Sequence, residues 1–332
     1  MIDEAALAAW LRELDLDISP PLELRRIGKG KSNLTLLLGD GAGRRWVLRR
    51  APAGPLVASA HDIPREAGIL EALAGTQVPS PRPLALMPAW TVSDAPVLLM
   101  EYVEGSAIDG AAVAEVLEPS VRGRIGPALA ATLASIHAVD LDGTGLANLA
   151  PHGEYAQRQI RRWRRQWDAS RSRDLPLVDE LAERLVRAAP AQTETCLVHG
   201  DYHLLNSLID SATGAVTGIL DWELSTLGDP LADLGTLLAY WSAEGDHPLG
   251  APYDVTALPD FSTPSELVRA YAESSGRDVA TIDFWRALAY WKVAIIADGV
   301  ESRHRADPTN PPGLGAGGVE LLLERAAAAL GA

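Results

Sequence analysis

The sequence predicts an α+β fold with a small antiparallel-sheet lobe over residues 1–103 and a larger, mainly helical lobe over residues 104–332. Short strand-like runs crowd the first hundred residues, and helical periodicities dominate the remainder. The two kinds of element are segregated rather than alternating, so a parallel βαβ sheet is not expected. A chain of 332 residues is long enough for two such lobes.

The elements follow in order. Asp3 to Leu16 reads as a helix, with Leu7, Trp10, Leu11 and Leu14 at helical spacing. Leu22–Ile27, Leu34–Leu38 and Arg45–Arg49 read as a strand meander, with Gly41-Ala42-Gly43 as its second turn. A helix is expected over Ser59–Ala74. Pro79, Pro81 and Pro83 then break the chain, and Val97–Val103 forms a further strand closed by Glu104-Gly105. Helices are expected at Ala111–Leu117, Val121–Val139, Glu154–Ser170 and Leu177–Ala189. A strand-rich patch, Cys196–His199, Ser207–Asp210 and Val216–Asp221, interrupts them. Helices resume at Pro230–Trp241, Ser265–Ser274, Asp283–Glu301 and Val319–Ala329, the last after a Pro/Gly-rich loop over residues 308–318.

Composition narrows the function classes. Hydrophobic residues at 47% and charged residues at 22% make an ordinary globular balance. The formal charge of −15 argues against a nucleic-acid partner, which calls for basic patches that displace counterions. No apolar run reaches the roughly 18 residues of a membrane-spanning helix, so no membrane partner is expected. The first seventeen residues are acidic and amphipathic, unlike a secretory leader. The single cysteine, Cys196, allows no internal disulfide, and a cytoplasmic location follows as the expectation.

The strongest chemical signal is Leu197-Val198-His199-Gly200-Asp201-Tyr202-His203-Leu204-Leu205-Asn206. An apolar strand delivers a loop with an aspartate, and an asparagine follows at H-x-D-x-x-x-x-N spacing. Phosphoryl transfer to a hydroxyl needs one carboxylate to orient or accept the hydroxyl proton and an oxygen ligand for Mg²⁺. Asp201 suits the first task and Asn206 the second. The plainer alternative is a capping aspartate and a turn asparagine. Gly218-Ile219-Leu220-Asp221-Trp222-Glu223 weakens that alternative, because a second apolar strand ends in an acid shortly afterwards. Mg²⁺ takes hard oxygen ligands, and Asp221 with Asn206 makes a metal-ligand pair. Glu223 is either a further ligand or the partner of a surface cation. Asp229, before Pro230, reads as a helix N-cap.

Three features stand upstream. Ile27-Gly28-Lys29-Gly30-Lys31-Ser32-Asn33 joins the first two strands, and such glycines let backbone N–H groups approach phosphate. It is not a P-loop, because Arg25 stands where glycine is required and a strand follows. In Trp46-Val47-Leu48-Arg49-Arg50 a cation ends the third strand, and Glu66 lies on the next helix. A strand cation paired with a helix glutamate holds ATP phosphates in kinases, and arginine would bind phosphate as a bidentate fork. Arg158, Arg161, Arg162 and Arg165 form a basic stripe on the Glu154–Ser170 helix, opposite Ile160, Trp163 and Trp167. The stripe is either a solvated face or a seat for an anionic acceptor, with Arg161 and Arg165 as candidates.

Taken together the segments GKGKSNLT, WVLRRAP, SAHDIPREAGILEAL, LLMEYVEG, ASIHAVD, RQIRRWRRQW, VHGDYHLLNSLID, GILDWELSTLGDPLADLGTLLAYW and FWRALAYWKVAIIADGVESR carry a resemblance. The chain resembles the aminoglycoside phosphotransferase and choline kinase superfamily, and most closely the kinase-like domains fused to acyl-CoA dehydrogenases and their free-standing bacterial relatives. The segments span nearly the whole chain. The resemblance implies a two-lobed protein-kinase-like fold and the cofactors ATP and Mg²⁺. It implies that Asp201 is catalytic, that Asn206 and Asp221 bind metal, and that Gly28, Gly30, Lys31, Ser32 and Asn33 cover the phosphates. Glu101 and Val103 would offer backbone groups to adenine, with Arg49 and Glu66 in the roles already described. Arg49 replaces the common lysine, Leu204-Leu205 replaces a frequent Pro-Gly, and Asp221-Trp222-Glu223 replaces D-F-G. His203 is expected to support the catalytic loop, and His137 to be structural.

The expected partner is a small-molecule hydroxyl acceptor. A hydroxyacyl-CoA-like compound follows from the subgroup likeness, and an aminoglycoside or amino alcohol from the family at large. A nucleotide-binding pseudokinase that regulates a partner is the reading from another class, against which Asp201, Asn206 and Asp221 are all present.

Overall fold

The computed structural model describes residues 2–14, 16–28, 33–52, 62–171, 173–243, 245, 247–308, 313–314 and 317–331. Gly30, Lys31 and Ser32 of the glycine loop, the expected helix start at 59–61 and much of the 308–318 loop lie outside the described residues. The chain forms two compact units: Met1–Glu104 with Gly218–Glu223, and Gly105–Thr217 with Leu224–Ala332.

The first unit opens with helix α1 (Glu4–Glu13), capped by Asp3, whose carboxylate accepts the N–H groups of Ala5 and Ala6. Strands β1 (Glu23–Ile27), β2 (Leu34–Gly39) and β3 (Arg45–Arg50) form the expected meander. Helix α2 (Ile63–Leu73) begins behind Asp62, whose side chain accepts the N–H of Arg65. Strands β4 (Pro83–Met87) and β5 (Val97–Glu101) complete an antiparallel five-stranded sheet in the order β1-β2-β3-β5-β4. The sequence reading missed β4 because three prolines precede or begin it. An edge strand accommodates a proline that lacks an N–H, and β4 is an edge. Leu38, Leu48, Val97 and Leu99 pack against Leu7, Trp10 and Leu11 of α1.

The second unit carries α3 (Ala111–Glu115), α4 (Pro119–His137), α5 (Tyr155–Ser170) and α6 (Pro176–Ala188). Short strands follow: β6 (Cys196–Val198), β7 (Ser207–Ile209), β8 (Val216–Ile219), whose last two residues belong to the first unit, and β9 (Thr226–Gly228). β6 and β9 pair antiparallel, a partnership absent from the sequence reading. Helices α7 (Leu231–Ala239), α8 (Pro264–Ser275), α9 (Ile282–Ala306) and α10 (Gly318–Gly331) complete it. α9 runs five residues past the expected end and buries Trp285, Trp291 and Ala294. α7 approaches it closely at Gly235, where a Cβ would lie 2.5 Å from the Trp285 carbonyl carbon. Among the described residues no helix is long and apolar enough to cross a membrane.

Candidate functional site

The candidate side chains fall into two clusters, one in each unit. In the first, the pleat of β3 sends Arg49 and Arg50 to opposite faces. Arg50 is buried, its Nη1 donating to Ser93 Oγ at 2.6 Å and to Asp94 Oδ1 at 2.9 Å. Arg49 instead donates from Nε to Glu66 Oε2 at 2.8 Å and from Nη2 to Asp221 Oδ1 at 2.5 Å. The strand cation and helix glutamate thus form a real pair, and the strand-end aspartate joins it. Burial pushes the Glu66 carboxyl up to about 7, with Arg49 opposing and Asp221 adding to the rise. Burial pulls Arg49 down, but Glu66 and Asp221 outweigh it, and its pKa stands above the ordinary arginine value.

Asp221 holds φ at +68°, in the left-handed region that aspartate tolerates better than most residues. That kink ends β8 and starts a short 3-10 turn over Trp222–Leu224. Glu223 Oε2 accepts Asn33 Nδ2 at 2.9 Å, so the end of the glycine loop is tied to the acid two residues after Asp221. Asn33 Oδ1 is buried and has no hydrogen-bond partner among the described residues. Gly28, at the other end of the loop, holds φ at +76°. Glu101 ends β5. Its N–H donates to Arg82 O at 2.9 Å, and its carboxylate receives Arg82 Nη2 at 2.6 Å. Val103 follows in the irregular segment beyond the strand.

In the second unit β6 leads into the His199–Asn206 loop. Gly200 turns it with φ +83°, where a Cβ would lie 2.6 Å from Leu224 O, so only glycine fits. Asp201 Oδ2 accepts Asn206 Nδ2 at 3.2 Å, and the same amide donates to Asp201 O at 2.9 Å. The Asn206 amide nitrogen is thus turned toward Asp201, with His203 Nε2 also 3.2 Å from it. Asp201 Oδ1 accepts no hydrogen bond among the described residues. His203 Nδ1 accepts the N–H of Leu205 at 3.2 Å, which puts the ring proton on Nε2, 3.5 Å from Asp201 Oδ2. The ring packs on Tyr240 with centroids 4.4 Å apart. Burial alone would raise Asp201, but His203, Lys292 and His199 outweigh it and hold the carboxyl below the usual range.

Asp233 supports this loop, a role the sequence reading did not assign. Its buried carboxylate accepts the N–H groups of His199 at 2.6 Å and Gly200 at 2.8 Å, and faces His137 Nε2 at 3.4 Å. His137 Nδ1 meets the Tyr271 hydroxyl at 2.7 Å, the structural role expected of it. The signal was present: an aspartate stands inside the otherwise apolar helix LADLGTLLA. Lys292 was missed likewise. It is a lone cation in the apolar part of α9, and its Nζ donates to Gly200 O at 2.6 Å. Pro230, expected as the first helical residue, holds the N-cap position of α7 in place of Asp229, whose Oδ1 nonetheless accepts the N–H of Leu231 at 3.0 Å.

α5 buries Ile160, Trp163 and Trp167, as its periodicity predicts. The basic stripe divides. Arg158 turns inward to Leu227 O at 2.8 Å, and Arg162 lines a cavity beside Gly200 and Lys292. Arg161 and Arg165 are exposed and line no part of that cavity, and Arg161 pairs with Glu154 at 3.7 Å.

A sheet unit with a paired strand arginine, and a helical unit whose loop sets a carboxylate beside an asparagine, define a kinase-like layout. The chain belongs to the APH phosphotransferase enzyme family, which it matches over residues 23–267. It is 36% identical over 310 residues to acyl-CoA dehydrogenase family member 10 of Mus musculus, covering 91% of this chain and 28% of that protein. The chain spans about a quarter to two-fifths of the length of the acyl-CoA dehydrogenase relatives it matches. Among solved structures it is similar to a Ralstonia eutropha JMP134 protein classed with the aminoglycoside phosphotransferases. That match has a TM-score of 0.77 and 28% identity, covering 99% of this chain and 96% of the other. A complex of aminoglycoside phosphotransferase APH(4)-Ia with AMP-PNP and hygromycin B shares the fold, with a TM-score of 0.61 and 15% identity over 93% of each chain.

Proposed function

We propose that this chain is an ATP-dependent phosphotransferase that moves the γ-phosphate to a hydroxyl of a small molecule, with a hydroxyacyl-CoA-like acceptor. The observation that carries the chemistry is the Asp201 carboxylate. Its carboxyl is held below the usual range by His203, Lys292 and His199, it is oriented through Oδ2 by Asn206 and His203, and its Oδ1 is left for an acceptor hydroxyl. In the proposed step the acceptor oxygen attacks the γ-phosphorus, the bond to the ADP oxygen breaks, and the hydroxyl proton passes to Asp201 and on to solvent. A loose transition state asks mainly for positioning and charge neutralisation, which suits a carboxylate of low basicity.

Asn206 Oδ1 and the Asp221 carboxylate are hard oxygen donors of the kind Mg²⁺ takes, and we assign them as its ligands. Mg²⁺, when bound, neutralises phosphate oxygens. Arg49, positioned by Glu66, would hold phosphate oxygens as a fork, and the loop from Gly28 to Asn33 would cover them. Glu101 and Val103 would face adenine through backbone groups. Of these, the Glu101 N–H is already engaged by Arg82, which leaves that contact to the remaining groups. His203 would keep Asp201 in place, and Glu223 would anchor Asn33.

The acceptor class rests on the mouse acyl-CoA dehydrogenase relative, which matches 91% of this chain. Purified protein with Mg²⁺ and γ-labelled ATP should be offered hydroxyacyl-CoAs, hygromycin B and kanamycin. Label is expected in the hydroxyacyl compounds. Transfer to the aminoglycosides alone would replace the acceptor assignment. ATP binding with neither transfer nor hydrolysis would favour a regulatory pseudokinase.

A further inference from the structure

Two cations meet over one aromatic ring in the second unit. Arg162 Cζ lies 5.4 Å from the Trp163 ring centroid, and Lys292 Nζ lies 5.7 Å from it. Both line a cavity of about 30 Å³ together with Tyr155, Trp163 and Gly200. Among the described residues neither forms an ion pair, and the hydrogen bond Lys292 makes is to the neutral carbonyl of Gly200. One carboxylate, Asp233, lies on the wall, but its oxygens receive the N–H groups of His199 and Gly200 and face His137. Burial lowers the Lys292 pKa; Asp201 and Asp233 oppose this, and Arg162 adds to the lowering.

Asp201 and Asp233 act on Lys292 as opposite charges, whereas Arg162, which is exposed, has no carboxylate partner among the described residues. A shared indole is only a weak partner for either cation. An anion in the cavity would satisfy both. A water needs ~10–15 Å³ on this measure, so the cavity has room for about two oxygens of a compact group. The site adjoins Gly200, next to the carboxylate assigned to the acceptor hydroxyl. We propose that Arg162 and Lys292 seat an anionic group, a carboxylate or a phosphate ester, carried by the acceptor. The link to the acceptor rests on the phosphotransferase reading; the anion seat does not.

The test is titration calorimetry of the whole chain at low salt with 3-hydroxybutyrate, its neutral counterpart butane-1,3-diol, and 3-hydroxybutyryl-CoA. At least one anionic probe should bind ~10-fold or more tightly than the diol, the usual worth of a charge-assisted contact. Preference for the free acid assigns a carboxylate, and preference for the thioester assigns a phosphate of CoA. Arg162→Gln should weaken the preferred anion ~10-fold or more and leave the diol unchanged. Arg162 is exposed, so this variant should fold. Lys292→Gln should act in the same direction, with its melting temperature measured alongside. The double variant Arg161→Gln/Arg165→Gln should bind as the wild type does. Equal affinity for acid, thioester and diol overturns the proposal. So do binding of none of the three, an insensitive Arg162→Gln, or an equal loss in the double variant. Full displacement by equimolar inorganic phosphate overturns the acceptor assignment. Phosphoryl transfer is measured in parallel. Its absence, with Arg162-dependent anion binding intact, counts against the phosphotransferase reading and spares the seat; the converse result spares the reading.

Discussion

The Asp233 carboxylate accepts the backbone N–H of His199 at 2.6 Å, so a helix residue holds the strand end from which Asp201 projects. The adjoining Gly200 N–H binds the same side chain at 2.8 Å. Asp233 is 1% exposed, so water cannot substitute for it. Asp233→Ala should cost about 3 kcal/mol or more, because two buried donors and His137 lose their partner. Asp233→Asn, which keeps one acceptor, should cost less. Denaturant unfolding measures both. Turnover should fall in either variant by more than the unfolded fraction accounts for, since the loop loses its brace.

Asp201→Asn should lower turnover by roughly 10²–10⁴-fold, the usual worth of a positioned acid–base group. Nucleotide binding should survive, and fluorescence titration with an ATP analogue would show it. Near-normal phosphoryl transfer by this variant would remove Asp201 from the mechanism.

Arg49 and Arg50 should separate function from stability. Arg49→Ala should raise the apparent ATP requirement, and Arg49→Lys should do so less. Arg50→Ala should leave the ATP requirement alone and lower the melting temperature, because Arg50 is buried against Ser93 and Asp94 on the other face of the sheet. Steady-state kinetics with varied ATP and thermal unfolding distinguish the pair. A large rise in the ATP requirement for Arg50→Ala would reverse the assignment of faces.

Glu66 predicts a pH effect. Its folded carboxyl is pushed up to about 7, above the ordinary glutamate value of about 4.3. The folded state then binds this proton more tightly than the unfolded state does. The stability it contributes is full below about pH 4 and is lost as pH rises through about 7. Relative to Glu66→Gln, the nucleotide-free wild type should therefore lose on the order of 1–3 kcal/mol across that window. Denaturation midpoints of both proteins from pH 4 to pH 8 would show it. A difference that stays flat or grows in the wild type's favour would mean Arg49 keeps Glu66 ionised throughout.

Local sequence was enough to place the His199–Asn206 loop and the types of most elements, while which of Arg49 and Arg50 turns toward Glu66 was left to the structure. The first two depend on near neighbours: an apolar run followed by glycine and aspartate, and a period of 3.6 or 2. Edge strand β4 escaped because proline usually marks a break, and only its place at the sheet margin makes Pro83 acceptable there. Asp233 and Lys292 were visible as polar residues in apolar helices, but nothing local names their partners.

The sequence by itself determined that an H-G-D loop, an acid at a strand end and a strand arginine occur in the order shared by a phosphotransferase family. The tertiary structure decided that Gly218–Glu223 joins the first unit, tying Asp221 to Arg49 and Glu223 to Asn33. It also decided that Arg162 rather than Arg161 or Arg165 reaches the cavity beside Lys292. Helical periodicity gives the angle of each arginine around α5, but not which angle faces a neighbour. That choice is made by the burial of Trp163 and Trp167, which fixes the rotation of the helix and leaves Arg162 on the cavity's rim.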